Sequence, residues 1–169
     1  MRHYLINGIV NRALVRGGVA AVKQPNGLVA TSSLRPDGTT LIPWSAGKCL
    51  AWDATTPDTL AASHLPATSG LAGAAAEHAS LLKNQKYSAL APSHHFVAVA
   101  VETLGAWNSD GLSFIRELGR RTTLITGDPR ESSYIIQRIA VAVQRGNAAS
   151  FTGSLPLNTG CYELLDDPV

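Results

Sequence analysis

Cysteine, charge and long apolar runs are all scarce in this chain, and each scarcity removes a class of protein. Two cysteines in 169 residues, Cys49 and Cys161, make no C-x-x-C pair and no disulfide framework. Cys49 lies in an apolar run and reads as a small buried residue. The five histidines (His3, His64, His78, His94 and His95) lack zinc-ligand spacing. His94 and His95 are adjacent and would point to opposite faces of a strand. No apolar run reaches the roughly 18 residues of a membrane span, and no secretory leader is recognisable. The chain therefore reads as soluble and intracellular, with no membrane partner. Neither GxGxxG nor a P-loop occurs, and no Ser/His/Asp or Cys/His arrangement can be placed. Charged residues are only 15% of the chain, and a net charge of +2 does not by itself demand a nucleic-acid partner.

The distribution of that charge is uneven. Residues 1–50 carry six Lys/Arg against one acid, Asp37. Residues 110–150 carry six Arg and four acids, while the middle is acidic and so is the end, with Glu163, Asp166 and Asp167. Basic flanks around an acidic centre suit a phosphate-binding rim around a metal site; scattered solvated charge has the same composition.

The most informative stretch runs from Arg35-Pro36-Asp37-Gly38 to Trp52-Asp53-Ala54-Thr55. Thr39 to Trp44 is β-prone, Ser45-Ala46-Gly47 is a turn cluster, and Lys48 to Thr55 is a second apolar run. A three-residue loop sets Trp44 opposite Lys48, Thr39 opposite Asp53 and residue 37 opposite Thr55. Opposed residues share a face, so Asp37, Asp53 and Thr55 project together. Two carboxylates so placed suit one hard cation such as Mg²⁺. Without a metal they would repel, each destabilising the fold slightly. Pro-Asp-Gly is also a common turn signal, and acids at strand ends are commonly solvated.

The remaining pattern gives a helix over Tyr4–Arg16 stopped by Gly17-Gly18, with Asn7 and Asn11 sharing a face. A short strand at Val19–Val22 and a loop over Gln24–Leu34 follow. Pro57–Ser69 reads as a connection, and Gly73–Leu90 as a helix with Lys83 and Lys86 on one face. Phe96–Val101, continuously apolar, predicts a central strand covered on both faces. Ser109–Arg121 predicts a helix with Arg120-Arg121 in its favourable last turn. Asp128-Pro129 opens the last helix, where Gln137-Arg138 and Gln144-Arg145 share an outward face. The expectation is one domain, residues 1–150, with a flexible acidic tail, 151–169. Its class is α/β: a sandwich of helices around a small mixed sheet.

The ordered motifs resemble a known family. Arg35-Pro36-Asp37-Gly38, Trp52-Asp53-Ala54-Thr55 and Lys83-Asn84-Gln85-Lys86-Tyr87 together are similar to the PD-(D/E)XK, restriction-endonuclease-like superfamily. More narrowly they resemble the endonuclease region downstream of the reverse transcriptase in non-LTR retroelements, and reverse-transcriptase-like reading frames of invertebrate genomes. Gly73-Ala74-Ala75-Ala76-Glu77, Glu102-Thr103-Leu104-Gly105 and Gln144-Arg145-Gly146-Asn147 extend the likeness over roughly residues 2–152.

That resemblance implies a restriction-endonuclease-like fold and a Mg²⁺- or Mn²⁺-dependent DNA endonuclease that nicks target DNA. It implies Asp37 and Asp53 as metal ligands and Lys86 as the catalytic lysine. Arg35, Lys83, Arg120, Arg138 and Arg145 would contact nucleic acid. The implied partners are DNA and a reverse transcriptase domain absent from this chain; a retroelement origin implies a nuclear location. Two positions depart from the pattern. Thr55 occupies the motif-lysine position, so the lysine must come from the following helix. Asn7 or Asn11 stands where the first helix carries an acid. A catalytically inactive nuclease-fold module that binds nucleic acid or packs against a polymerase is the alternative.

Overall fold

Alternation along one strand decides the architecture. In a computed structural model that describes residues 2–28 and 34–154, Cys49–Thr55 is a seven-residue strand. Its Leu50, Trp52 and Ala54 enter the main core. Ala51 points the other way, into a smaller cluster with Tyr87 and Leu90. The strand is therefore covered on both faces, and the elements arrange around it.

In chain order these are α1 (Arg2–Arg16), β1 (Ala21–Lys23), β2 (Gly38–Thr40), β3 (Cys49–Thr55), α2 (Leu65–Thr68), α3 (Ala74–Lys86), β4 (His94–Ala100), α4 (Ser109–Thr126) and α5 (Glu131–Ser154). The sheet order is β1-β2-β3-β4. The first three strands form an antiparallel meander, and β4 joins β3 in parallel. A parallel neighbour needs a crossover, and α2 and α3 supply it. α1 and α4 pack on the main-core face, α5 packs across both, and α3 lies against β4. The chain is thus an α/β fold with a small mixed sheet flanked by helices. No described helix is long and apolar enough to cross a membrane.

The hairpin register departs from expectation by two residues. The turn is as expected, with Trp44 N–H donating to Lys48 O at 2.8 Å. Yet Thr39 pairs with Ala51, not Asp53. Leu41-Ile42-Pro43 bulges out of the ladder, since Pro43 has no N–H to pair. The Thr40 hydroxyl accepts from Leu50 N–H at 2.9 Å and stands in for a backbone acceptor. A slip of two preserves the face of every side chain. Asp37, one residue before β2, comes opposite Asp53 and stays on its side. Gly38 is required there, because a Cβ would enter the Trp52 ring.

β4 is not a central strand: among the described residues it is an edge strand of the sheet, as β1 is at the other side. Only Ala98 to Val101 are fully buried. Its free edge is closed locally. Asn108 donates through Nδ2 to Ala98 O at 3.1 Å and accepts at Oδ1 from Ala100 N–H at 2.9 Å. An amide side chain thus replaces a neighbouring strand and blunts the edge. The apolar run reported covered faces, which it has from Ala98 to Val101 but only in part at Phe96 and Val97, and could not report a covered edge.

Other boundaries shift for local reasons. α4 runs on to Thr126 and ends at Gly127, whose φ of 75° makes the left-handed stop. Arg120-Arg121 is therefore not in the last turn. Both guanidiniums instead bind Glu117 at 2.7 Å and hold its carboxyl at about 2. α5 extends to Ser154, so residues 151–154 of the expected tail are helical. Cys49 is only half-buried, at the start of β3. Residues 29–33 of the expected loop and 155–169 of the expected tail lie outside the described residues.

Candidate metal centre

Two buried carboxylates meet where β2 and β3 run side by side. Asp37 is 6% exposed and Asp53 4%, a degree of burial that acids tolerate only with partners. Asp37 Oδ2 accepts from Ala54 N–H at 2.6 Å, tying it to the opposite strand. It also meets His3 Nε2 at 2.7 Å. Asp53 Oδ2 accepts from the Tyr87 hydroxyl at 2.6 Å. Lys83 Nζ lies 2.7 Å from Asp53 Oδ1. That last contact is an ion pair without directed hydrogen-bond geometry, so Asp53 Oδ1 is buried and lacks a proper donor.

The helices explain who arrives. On α1, His3 and Asn7 are four apart and share the flank that meets β2 and β3. Asn7 accepts from Trp52 Nε1–H and donates to Asp37 O, each at 3.1 Å, which fixes that flank. Asn7 is therefore a buried brace, and His3, one turn earlier, is the first-helix residue that reaches the acids. On α3, Lys83 and Lys86 are three apart, but only Lys83 turns inward. Lys86 is exposed, its Nζ 4.9 Å from the Tyr87 ring centre. The structure thus joins Asp37, Asp53 and Lys83, leaves Lys86 one layer out, and adds His3 and Tyr87. Sequence spacing had one usable signal for His3, its i,i+4 relation to Asn7. Tyr87 closes the Lys-x-x-Lys-Tyr motif and was legible as part of it.

The other expected contacts are dispersed. Arg35 is exposed at the rim; its side chain donates to Gln24 O at 2.9 Å, and its carbonyl accepts from the Tyr87 hydroxyl at 3.1 Å. Arg120 is held by Glu117 on α4. Arg138 and Arg145 are exposed on α5 and line a cavity against α1. Gln137, Arg138, Gln144 and Arg145 do all face outward.

The donor set fits a divalent cation. One atom each from His3, Asp37 and Asp53 lies within 4.8 Å of the others. Two ligands at 2.1 Å from one ion stand at most about 4.2 Å apart, so a small inward movement closes the set. Asp53 Oδ1, without a directed donor, is the oxygen such an ion would satisfy. Carboxylates suit Mg²⁺ or Mn²⁺, and the imidazole widens the choice among transition metals.

Each acid of the site has a basic side chain beside it. The Asp37 hydrogen bond raises the His3 pKa above its ordinary value, with both carboxylate charges adding and burial and Lys83 opposing. Burial, then the bond to Asp53, pushes the Tyr87 hydroxyl far up, so it remains a donor. A histidine raised on folding stabilises most below its unfolded value near 6.5, and that contribution fades as pH rises through the folded value. In chelator, the parent chain should exceed His3→Ala in stability most below about pH 6.5, and by less as pH rises through the folded value above it. Urea midpoints across that range measure it; a pH-independent difference would mean that His3 contributes packing and no charge.

No protein-family model matches the chain, and no curated protein matches it.

Proposed function

We propose that the chain is a metal-dependent DNA endonuclease of the PD-(D/E)XK type, derived from a retroelement, that cleaves phosphodiesters at the Asp37/Asp53 site. The observation that carries this reading is the convergence of both motif acids with Lys83, the first lysine of the Lys-x-x-Lys-Tyr helix. The helix–meander–helix–strand order, with the acids on neighbouring strands and the lysine on the next helix, supports a restriction-endonuclease-like fold.

Asp37 and Asp53 would hold Mg²⁺ or Mn²⁺, with His3 as a nitrogen donor. The ion supplies polarisation of the phosphoryl oxygen and a more acidic attacking water. The protein supplies the rest. Ala54 N–H and the Tyr87 hydroxyl orient the two carboxylates. Lys83 stabilises charge developing on the phosphoryl oxygens or positions the water. This reading moves the catalytic role from Lys86 to Lys83, which takes over the position Thr55 leaves without a lysine.

A second reading, an inactive nuclease-fold module that binds nucleic acid, is favoured by one observation. His3 already contacts Asp37 and Lys83 already pairs with Asp53, so each acid has a basic partner within the protein. Nicking of supercoiled plasmid in Mg²⁺ and in EDTA separates the two. Lys83→Gln should lower nicking by about 10²-fold or more, on the scale of losing one transition-state donor. Lys86→Gln should change it by less than about threefold, being an outward charge in high dielectric. The reverse ranking would restore Lys86, and plasmid binding without nicking by the parent chain would establish the second reading.

A further inference from the structure

A concave surface away from the carboxylate site lies between α1 and α5. The two helices run antiparallel, since Arg2 meets Asn147 and Ser150 while Arg16 meets Glu131. Between them is a cavity of about 320 Å³. Its floor is apolar, from Leu5, Ile9 and Val141, and its rim carries Arg12, Arg138 and Arg145. No carboxylate lines it among the described residues. An ion pair between exposed Arg16 and buried Glu131 closes the far end. Tyr134, 45% exposed, stands on the wall. The Arg16 and Arg138 guanidiniums lie over its ring at 5.9 and 5.6 Å.

This groove is separate from the carboxylates. At about 100° per residue, Leu5, Ile9 and Arg12 occupy the flank of α1 opposite His3 and Asn7. The groove therefore opens on the flank of α1 away from Asp37 and Asp53.

We infer that the α1–α5 groove binds single-stranded nucleic acid. Three arginines without a lining acid are complementary to a phosphate backbone. Arg138 and Arg145 are seven residues, two turns, apart on one face, about 10 Å along α5. The apolar floor and Tyr134 suit the faces of unpaired bases, which stack on aromatic rings and guanidinium planes. A duplex keeps those faces inside its own stack and would leave the floor uncovered. The inference goes beyond phosphodiester cleavage and needs neither carboxylate nor metal.

The test uses the full chain in EDTA and a fluorescein-labelled twelve-residue oligo(dT), read by anisotropy. Arg138→Gln/Arg145→Gln should weaken binding at least tenfold. It should also flatten the log-affinity against log-salt slope by about 1.4, near 0.7 per lost contact to a single strand. Tyr134→Ala should weaken binding about fivefold or more, and Tyr134→Phe should restore it. These side chains are exposed, so thermal melts should match the parent. Parent-level binding by the Arg variant, an unchanged salt slope, or equal competition by a duplex of the same length would overturn the inference. Because no metal is present, failed nicking leaves this groove standing, and failed oligonucleotide binding leaves the carboxylate site standing.

Discussion

Asp53→Asn is expected to abolish metal-dependent nicking and to lower the melting temperature in EDTA. The first effect follows from the ligand set. Two carboxylates would hold the ion in the proposed site, and replacing one by an amide removes an anionic oxygen of the kind Mg²⁺ requires. The affinity loss should exceed the roughly 10–100-fold typical of removing a group that merely orients a ligand.

The second effect reverses the expectation drawn from the sequence. Two acids on one face suggested repulsion that neutralising one would relieve. In the structure that repulsion is already offset by the Lys83 ammonium on Asp53, and Asp37 has His3 as a hydrogen-bond partner. Asp53 also accepts the buried Tyr87 hydroxyl. An amide can keep the tyrosine with its oxygen, but its NH₂ then faces the Lys83 ammonium, donor against donor. The cost is about 1–3 kcal/mol, kept at the lower end because Lys83 is 26% exposed and can turn to water. For a chain of this size each kcal/mol lowers the melting temperature by about 2–4 °C. Added Mg²⁺ should raise the parent's melting temperature by mass action and leave the variant unchanged. Melts of both proteins with Mg²⁺ and EDTA decide it: a variant that still gains from Mg²⁺, or still nicks, would remove Asp53 from the metal centre.

Glu102→Ala is expected to cause the largest loss of stability of any single change considered. Glu102 is 1% exposed and lies two residues past the end of β4. Its Oε1 accepts from Ala75 and Ala76 N–H at 2.9 and 3.3 Å, and its Oε2 from the Thr59 hydroxyl at 3.1 Å. The N-cap of α3 is Gly73, at φ 89°, which has no side chain to satisfy those amides. Glu102 caps the helix from another part of the chain, and its charge is favourable at a helix N-terminus. Alanine would strand two amides and a hydroxyl, at about 1–3 kcal/mol each. A total of about 3 kcal/mol or more is a large share of the 5–15 kcal/mol typical of a folded domain. Since α3 carries Lys83 and leads into Tyr87, nicking should fall in parallel. Glu102→Gln keeps an oxygen for the amides and should recover most of the stability. Urea unfolding of the three proteins checks this; a Glu102→Ala midpoint equal to the parent's would rule out the cap.

The sequence alone determined the features that depend on local periodicity. Strand parity put Asp37 and Asp53 on one side of the sheet, and it survived a register error because a slip of two restores every face. Helical spacing located α1 and its Gly17-Gly18 stop, and the outward Gln-Arg pairs of α5. Tertiary structure decided what no local period contains. Lys83 and Lys86 differ by about 60° around α3, so which one meets Asp53 depends on the roll of that helix. Packing sets the roll: Tyr87 in the core behind β3, and Glu102 gripping the first turn. His3 reaches Asp37 across 34 positions because Asn7 anchors α1 between Trp52 and the Asp37 carbonyl. The continuous apolar run of β4 implied cover on two faces, yet whether its edge meets a strand or the Asn108 amide depends on how the chain returns. Residue type and period specify the face a side chain takes. Partners follow from how elements roll, dock and cap one another, and those are contacts between residues far apart in the chain.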